Sequence, residues 1–354
     1  MESQLLLIGT KNIINKIFNY IILITRMNKK QNILVTGGAG YIGAHIVELL
    51  VKTKANIIII DNLVTGRKKL LNKKAKFIKE DIKNKTSLIK IINDYEINSI
   101  IHLAGSLNVS EAEKNKKKYY KNNVEGTLNL VNACKNSTVK NIIFSSSCSI
   151  YGDVKGPVGE GKKPNPQGYY AFTKFKGEEI IKKYSKKYNY RYAILRYFNV
   201  AGASKTGKIG EIEKSHNHLF KNLAISSLKQ KPIINIYGNN YNTKDGTCIR
   251  DYIHVVDLAD IHIECLKRIN LLKKSLILNC GYGKGNSVLQ IVKKFQKIIK
   301  KKITINFKSA RPGDIAQVYG NTLRLKKVIK WKPKYNNLEI MLKSAIKWEK
   351  KLDS

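Results

Sequence analysis

The sequence contains few of the residues that would indicate a secreted or metal-binding protein. Its five cysteines are odd in number, widely separated and without a Cys-x-x-Cys pair, which favours a reducing, cytoplasmic location over a disulfide framework. They are Cys134, Cys148, Cys248, Cys265 and Cys280. Among the six histidines, His216 and His218 form the one close pair, and no third ligand accompanies them. The pattern therefore predicts no metal site.

Acidic residues and arginine are also scarce. The chain has 25 Asp and Glu against 66 Lys and Arg, a formal net charge of +41, and eight of the basic residues are Arg. The lysines occur as short KK and KKK steps along the whole chain rather than in one arm or stripe. We interpret them as solvated helix faces that attract polyanions weakly, and we predict no dedicated nucleic-acid surface.

The N-terminal region lacks an apolar run long enough to cross a membrane. The segment from Tyr20 to Ile24 is far short of the roughly 20 residues that a transmembrane helix needs, and no small-residue cleavage pattern follows it. Met27 lies just before the first recognisable strand, so this region can also be sequence upstream of an alternative start. We predict no membrane partner, and the role of the N-terminal extension, residues 1–30, stays open.

A regular alternation of short and long segments begins at Asn32. Short runs rich in Ile and Val alternate with longer amphipathic segments, which is typical of βαβ units around a parallel sheet. Strands are predicted at Asn32–Thr36, Asn56–Ile60, Lys76–Ile78, Ser99–Leu103, Asn141–Ser145 and Arg191–Tyr197, and helices near Tyr41–Thr53, Thr86–Asp94, Tyr119–Lys135 and Tyr169–Lys187. We predict an α/β fold, a doubly wound Rossmann-type parallel sheet with a smaller C-terminal α+β substrate lobe.

A glycine-rich turn follows the first predicted strand and opens the first predicted helix. Gly37, Gly40 and Gly43 are three residues apart, so the backbone can turn tightly and approach a pyrophosphate at the helix N terminus. Asp61 closes the second strand, where a carboxylate can accept hydrogen bonds from an adenosine ribose and repel a 2′-phosphate. This combination favours NAD over NADP. A tight structural turn without a ligand is the alternative.

These observations suggest a division of the chain. We predict an NAD-binding domain at residues 31–205. Residues 206–354 are expected to form mainly a substrate-binding lobe, with some segments returning to the first domain.

Tyr170 and Lys174 are four residues apart on the fourth predicted helix and therefore project from one face of it. Tyr169 has Thr173 at that spacing instead. An ammonium ~4 Å away at an effective dielectric near 20 can lower a phenol pKa by roughly three units, enough for a base near neutral pH. The serine-rich stretch from Phe144 to Gly152 offers a third hydroxyl at the preceding strand end. The alternative is a chance pair on a helix surface.

Several longer stretches carry a specific resemblance. They are TGGAGYIG, YYKNNVEGTLNLV, NIIFSSSCSIYGD, LRYFNVAG, IYGNNYNTKDGTCIRDYIHVVDLAD, GYGKGNSVL and RPGD. Over essentially Asn32 to Lys350 the chain resembles the extended short-chain dehydrogenase/reductase family, and within it the UDP-glucose 4-epimerases. The resemblance implies reversible 4-epimerisation of UDP-glucose and UDP-galactose, in galactose and nucleotide-sugar metabolism, through hydride transfer to tightly bound NAD and rotation of a 4-keto sugar. It also implies a homodimer, by analogy alone.

The same resemblance implies roles for individual residues. Tyr170 takes the proton of the sugar 4-hydroxyl, Lys174 lowers the phenol pKa and holds the nicotinamide ribose, and Ser147 binds the 4-oxygen. The implied cofactor contacts are Gly37, Gly40, Tyr41, Ile42, Gly43, Asp61, Asn62, Asp81, Ile82, Leu103, Ala104, Gly105, Asn123, Tyr170, Lys174 and Phe198. The implied UDP-sugar contacts are Ser147, Asn199, Leu219, Asn235, Ile236, Tyr237, Arg250, Arg311, Asp314 and Val318.

The chain departs from the family pattern at three positions. Leu107 stands where a lysine commonly lies near the cofactor phosphates, so one charge-assisted contact is absent and NAD retention is expected to be weaker. His218 stands where an asparagine usually meets the substrate phosphates, which puts that contact in doubt but not the neighbouring Leu219 backbone. Val318 occupies a position whose bulk is associated with admitting or excluding a 2-N-acetyl group, and its intermediate size leaves that choice open.

Other functions stay open at this point. UDP-N-acetylglucosamine or UDP-glucuronate 4-epimerisation is an alternative within the family. A 4,6-dehydratase normally has an Asp-Glu pair after the strand-end hydroxyl, whereas Cys148 and Ser149 follow Ser147 here. A non-catalytic relative that binds NAD and RNA would lack the Ser-Tyr-Lys set, which this chain retains.

Overall fold

A seven-stranded parallel sheet with helices on both faces forms the centre of the molecule. The computed structural model describes residues 31–212, 218–311 and 314–354. In spatial order the strands are β11 (Leu276–Cys280), β7 (Arg191–Tyr197), β5 (Asn141–Ser147), β4 (Ser99–His102), β1 (Asn32–Thr36), β2 (Asn56–Asp61) and β3 (Lys76–Lys79). This confirms the predicted α/β class. The N-terminal extension and His216 lie outside the described residues.

Apolar branched residues build this sheet because both of its faces are buried. Ile33 and Val35 of β1 belong to the core on one face, whereas Leu34 belongs to the core on the other. Parallel sheets covered on both faces read as nearly continuous apolar runs for this reason. The chain order reverses between β1 and β4. In such sheets, ligands bind in the crevice at the carboxyl ends of the strands beside that reversal.

The helices follow the predicted alternation. They are α1 (Tyr41–Leu50), α2 (Lys85–Asp94), α3 (Val109–Lys114), α4 (Lys116–Tyr119), α5 (Gly126–Ala133), α6 (Tyr169–Tyr188), α7 (Leu219–Ser227), α8 (Val255–Leu272), α9 (Val288–Ile299), α10 (Leu323–Ile329) and α11 (Leu338–Asp353). Helices α1 and α8 cover one face of the sheet, and α2, α5 and α6 cover the other. None of the helices in the described ranges is long and apolar enough to cross a membrane.

One helical region differs from its prediction. The helix predicted near Tyr119–Lys135 is interrupted by a π-helical turn, Tyr120–Glu125, which separates α4 from α5. Helix α3 was not predicted. It begins after Asn108, whose side chain accepts a hydrogen bond from the Glu111 N–H at 3.0 Å. Turns of the π type occur frequently beside functional sites.

A smaller lobe lies beyond the carboxyl ends of the main strands. Its larger sheet contains β6 (Pro157–Val158), β8 (Asn199–Ala201), β10 (Ile249–His254), β12 (Gly285–Ser287) and β14 (Gln317–Gly320), and its smaller one pairs β9 (Ile233–Tyr237) with β13 (Thr304–Lys308). Strand β6 comes from the first half of the chain, while β11 and α8 return to the main sheet. The predicted functional division at residue 205 stays a prediction.

Candidate active site

A cavity of about 1070 Å³ runs along the carboxyl ends of the main strands and continues into the smaller lobe. The fold brings nearly all the predicted site residues together here. Every predicted cofactor and substrate contact lines this cavity except Asn123. Leu107 and His218, at two of the unusual positions, line it as well.

The glycine turn between β1 and α1 packs against the protein backbone too closely for side chains at Gly37 and Gly43. Gly37 has a φ of +72°, and a Cβ there would lie 2.8 Å from the Ala104 backbone nitrogen. A Cβ at Gly43 would collide with the Gly37 carbonyl oxygen. Helix α1 then begins at Tyr41 behind Gly40, which has no side chain to cap the first turn. The helix N terminus is therefore open to an anionic group such as a pyrophosphate.

Asp61 lies at the end of β2, where its carboxylate organises the loop that follows. The Ala39 N–H donates to one carboxylate oxygen at 3.0 Å, and the Leu63 N–H donates to the other at 2.8 Å. Burial raises the pKa of Asp61, and these two hydrogen bonds oppose that rise. A carboxylate oxygen has a second lone pair, so Asp61 can still accept a hydrogen bond from a ligand hydroxyl.

Asp81, at the next strand end, is fixed by the same loop. Asn62 donates from its side chain to the Asp81 carboxylate at 2.9 Å, and Lys83 forms an ion pair with it at 3.4 Å. Burial alone would raise the pKa of Asp81, but the hydrogen bonds from Asn62 and Lys83 together lower it. Asp81 is therefore held as an anion at this end of the cavity.

Tyr170 projects from the first turn of α6 towards the end of β5. Its hydroxyl is hydrogen-bonded to Ser147, whose Oγ also accepts the Ser149 N–H at 3.2 Å. Burial raises the pKa of Tyr170 to about 12, although the Ser147 hydrogen bond acts in the opposite direction. The two hydroxyls therefore share one end of the cavity.

Lys174 lies one turn further along α6 and is buried. Its Nζ lies 3.4 Å from Ser145 Oγ and 5.0 Å from the centre of the Phe144 ring. Burial lowers the pKa of Lys174 to about 8, while the nearby Glu178 carboxylate raises it. The groups that shift the pKa of Tyr170 are its burial, Ser147 and Cys148. Lys174 is not among these groups. The predicted lowering of the Tyr170 pKa by Lys174 therefore stays a prediction, which applies to a site that also holds a cationic nicotinamide.

Tyr169, the second tyrosine of the pair, packs outside the cavity. Its ring lies 5.5 Å from the Phe172 ring, and Lys116 Nζ is 5.6 Å from its centre. Among the described residues that line the cavity, Tyr170 is present and Tyr169 is not. The choice of Tyr170 as the reacting candidate therefore agrees with the geometry.

Asn123 supports the cavity wall from behind rather than lining it. Its side-chain nitrogen donates to the Ser106 carbonyl and to Thr173 Oγ1, each at 3.1 Å, and its oxygen accepts the Ser106 N–H at 2.7 Å. These contacts tie the loop after β4 to α6. The predicted cofactor contact of Asn123 stays a prediction, and within the protein its buried carboxamide satisfies its hydrogen bonds with neighbouring groups.

Two arginines from the smaller lobe, Arg250 and Arg311, also line the cavity. Arg250 donates to the Ile315 carbonyl at 2.7 Å and lies 3.7 Å from the Asp314 carboxylate. The Arg311 guanidinium lies 4.0 Å from the centre of the Tyr237 ring. Both guanidinium groups are thus held in place by neighbours. A pair of fixed guanidinium groups suits a diphosphate, which each can bind through two hydrogen bonds.

His218 immediately precedes α7 and lines the cavity near Arg311. Its Nδ1 lies 2.5 Å from a Glu211 carboxylate oxygen. Burial and the charge of Arg311 favour the neutral imidazole, but Glu211 outweighs both and raises the pKa of His218. The residue that replaces the expected asparagine is therefore biased towards the cationic form.

Sequence reasoning missed a buried ion pair behind the catalytic candidates. Arg196 donates twice to Glu178, at 2.9 and 2.8 Å, and Ser146 Oγ donates to the same carboxylate at 2.7 Å. Glu178 follows Lys174 by one turn of α6, and Ser146 precedes Ser147. Arg196 lies within the quoted motif LRYFNVAG, but a pairing across 18 residues has no local sequence signal.

Comparisons with known proteins agree with this geometry. The model of the NAD dependent epimerase/dehydratase family matches residues 33–281. The chain is 39% identical over 321 residues to a UDP-glucose 4-epimerase of Lactobacillus helveticus, covering 90% of this chain and 97% of that protein.

Solved structures give the same result. A UDP-glucose 4-epimerase from Brucella ovis in complex with NAD is 34% identical, with a TM-score of 0.84 over 89% of this chain and 97% of that one. One from Bifidobacterium longum, in complex with NAD⁺ and UDP, is 32% identical, with a TM-score of 0.85 over 91% of this chain and 98% of that one. From its sequence match, its doubly wound sheet and its glycine turn, the chain belongs to the NAD dependent epimerase/dehydratase family.

Proposed function

We propose that the chain catalyses the reversible 4-epimerisation of UDP-glucose and UDP-galactose with NAD held in the cavity. The observation that carries this proposal is the convergence of Ser147, Tyr170 and Lys174 in one cavity that Arg250 and Arg311 also line. The first set suits a sugar hydroxyl beside a nicotinamide, and the second suits a diphosphate.

The residues around the glycine turn fit a dinucleotide. The N terminus of α1 would receive the pyrophosphate, because no side chain caps its first turn and its N–H groups are available to an anion. Asp61 would accept a hydrogen bond from the adenosine ribose and disfavour a 2′-phosphate. When bound, NAD supplies a transient acceptor for the hydride of the sugar C4. The Nζ of Lys174, which lies beside Ser145, would donate a hydrogen bond to the nicotinamide ribose.

Tyr170 and Ser147 would handle the proton at the sugar 4-oxygen. The phenolate of Tyr170 takes the 4-hydroxyl proton as the C4 hydride leaves, while Ser147 hydrogen-bonds to the 4-oxygen. The 4-keto sugar then turns over while Arg250 and Arg311 hold the diphosphate. Tyr170 returns the proton when hydride is restored to the opposite face. The phenolate is thereby regenerated, so one protein group serves both halves of the reaction.

The pKa of Tyr170 decides whether this chemistry is feasible. Burial raises it to about 12, so a base near neutral pH requires positive charge beside the phenol. Each unit charge ~4 Å away contributes about 4 kcal/mol at an effective dielectric near 20, or roughly three pKa units. Lys174 and an oxidised nicotinamide together would therefore offset the effect of burial. We expect the phenol to ionise near neutral pH only when NAD⁺ is bound.

Val318 bears on which sugars the enzyme accepts. It is buried beside Phe198 and Cys148 and lines the cavity. A valine leaves more room than an aromatic side chain at this position, so UDP-N-acetylgalactosamine is the second candidate substrate. We expect both UDP-galactose and UDP-N-acetylgalactosamine to be turned over, with the smaller sugar preferred.

We further propose that the protein is a cytoplasmic homodimer. All five cysteines are free and buried, which supports a reducing compartment. The dimer rests on analogy with the family, and light scattering of the purified protein tests it. A monomer at all concentrations would remove this part of the proposal.

The central experiment measures coenzyme and activity on one preparation. Denaturing the purified protein should release NAD, and the native protein should convert UDP-galactose to UDP-glucose in a coupled assay. Parallel assays with UDP-N-acetylgalactosamine and UDP-glucuronate separate the alternatives within the family. A folded protein that carries no NAD, or that carries NAD but interconverts none of these sugars, would contradict the proposal.

A further inference from the structure

The helix that carries Tyr170 does not cap its own N terminus. Helix α6 begins at Tyr169, and the residue before it, Gly168, has no side chain with which to cap the first turn. The first N–H groups of a helix need acceptors from outside the helix. In α6 these groups flank Tyr170, so their acceptor also affects the position of the reacting phenol.

The acceptor comes from α3. The Tyr169 N–H donates to a Glu113 carboxylate oxygen at 2.6 Å. A Cβ at Gly168 would lie 3.2 Å from the same oxygen, so glycine leaves the space that the carboxylate occupies. A negative charge is favourable at this end of the helix dipole. Glu113 thus caps α6 from a separate element.

Helix α3 is itself joined to the coenzyme side of the cavity. It follows directly from the cavity-lining segment that contains Leu107 and Asn108. Asn108 caps α3 through the Glu111 N–H, and its carbonyl accepts the Tyr119 hydroxyl at 2.7 Å. Glu113 therefore connects the loop after β4 to the residue immediately before Tyr170.

We propose that Glu113 is a positioning residue for the reaction, which fixes the first turn of α6 so that Tyr170 faces Ser147 and the coenzyme. This inference rests on the proposed function. Glu113 is not among the described residues that line the cavity, so it acts through Tyr169 and Tyr170 rather than on the substrate. Helix α6 has 20 residues and a buried face, so loss of the cap should loosen its first turn without unfolding it.

The test compares Glu113→Ala with Glu113→Gln in the purified holoenzyme. Glutamine retains an oxygen that can accept the Tyr169 N–H, whereas alanine does not. We expect Glu113→Ala to lower kcat for UDP-galactose roughly ten-fold or more, because a small misplacement of a reacting group is costly. The KM and the NAD content per protomer should change less than about two-fold. Glu113→Gln should recover most of kcat.

The pH profile separates positioning from loss of structure. If the phenol of Tyr170 moves away from its cationic neighbours, its pKa rises, so the acidic limb of kcat in Glu113→Ala should move to higher pH. Glu179→Ala is the matched control, because Glu179 is an exposed carboxylate of the same helix that pairs with Lys176. It should leave kcat, KM and the pH profile as in the wild type.

The outcomes separate this inference from the proposed function. A wild-type protein that holds NAD and fails to interconvert UDP-sugars would end the proposed function and this inference with it. An active wild type with an equally active Glu113→Ala, or equal losses of kcat in Glu113→Ala and Glu113→Gln, would overturn this inference alone. So would a lower kcat in Glu113→Ala that is accompanied by loss of NAD and an unchanged pH profile.

Discussion

The two adjacent tyrosines have different surroundings in the fold, which makes Tyr170 the candidate for the reacting group. Tyr170 lies in the cavity beside Ser147, and Tyr169 packs against Phe172. Helical spacing from Lys174 was sufficient to choose between them, because residues four apart share a face. The same spacing did not predict that burial raises the pKa of the phenol to about 12. The position of a group is thus easier to predict than its acidity.

Removing each tyrosine hydroxyl tests this assignment. Tyr170→Phe should lower kcat by a factor of about 10² or more, because general-base catalysis is lost. The NAD content and the thermal stability should stay close to those of the wild type. Tyr169→Phe removes a hydroxyl outside the cavity and should retain wild-type kcat. A coupled assay of both variants measures this. An active Tyr170→Phe beside an inactive Tyr169→Phe would reverse the assignment.

Because the pKa of His218 is raised, we expect the affinity for the substrate to depend on pH. Glu211 raises the pKa of His218, so the imidazolium persists above the ordinary value of 6.5 and is lost as the pH rises through the raised pKa. Below that pH the cation can bind a diphosphate, whereas above it the neutral imidazole no longer offers a positive charge. We expect the Kd for UDP-glucose to rise roughly ten-fold across this interval, the value of one charge-assisted hydrogen bond.

Calorimetry in the Tyr170→Phe background measures this affinity without turnover. The diphosphate of UDP-glucose is a diester whose charge is constant near neutral pH, so a change in affinity reports on the protein. His218→Asn is the control and should bind with little dependence on pH. Identical pH profiles for the two proteins would show that His218 does not contact the diphosphate.

At the scale of elements, α6 is held at both ends of its active segment. Glu113 accepts its first N–H, and Glu178 pairs with Arg196 of β7 one turn after Lys174. The side chains of Glu178 and Arg196 are 0% and 3% exposed. A buried ion pair is costly to break from one side, because the remaining charge has no solvent. The helix therefore has a fixed register against the sheet.

This pair gives a prediction about stability. Arg196→Met leaves the Glu178 carboxylate buried without its arginine and should lower the free energy of unfolding by about 3–5 kcal/mol. The double variant Arg196→Met/Glu178→Gln removes both charges and should recover most of that loss. Urea unfolding monitored by circular dichroism measures both. Equal destabilisation in the single and double variants would contradict the assignment, since packing rather than charge would then dominate.

The elements also mark the limits of prediction from sequence. Strand β11 was missed, but the other six main strands were predicted within about two residues, because Ile and Val runs buried on both faces have a strong local signal. The π turn at Tyr120–Glu125 and helix α3 were not, since their caps and hydrogen bonds depend on the neighbouring loop. Asn123 was assigned to the coenzyme from the resemblance, and its contacts within the protein were not predicted. Its partners Ser106 and Thr173 become neighbours only in the folded chain.

On the scale of the whole molecule, the two predicted parts share their strands. Strand β7 in the main sheet is followed after one residue, Phe198, by β8 in the smaller lobe. Strand β6 reaches the lobe from the first half of the chain, and β11 returns from the second half to pair with β7. We predicted from the sequence that some C-terminal segments return to the first domain, but not which strands do so.

A truncated chain tests the dependence of one part on the other. Residues 31–205 alone lack β11 and α8, so β7 would become an exposed edge and the core under α8 would open to water. We expect this fragment to aggregate, or to lack a cooperative thermal transition, whereas residues 31–354 should unfold cooperatively. Calorimetry and light scattering measure both. A monomeric fragment with a sharp transition would show that the first part folds alone.

The crossing of β6 and β11 has a consequence for how new sugar specificities can arise in this chain. If the C-terminal segment were replaced by that of a relative, the new β11 would have to pair with the original β7. The new β14 would likewise have to pair with the original β6, so both sheets would contain mismatched strand pairs. Change is therefore expected to proceed through single substitutions along the cavity wall. Positions such as Val318, rather than transplanted modules, are where evolution or an engineer has freedom.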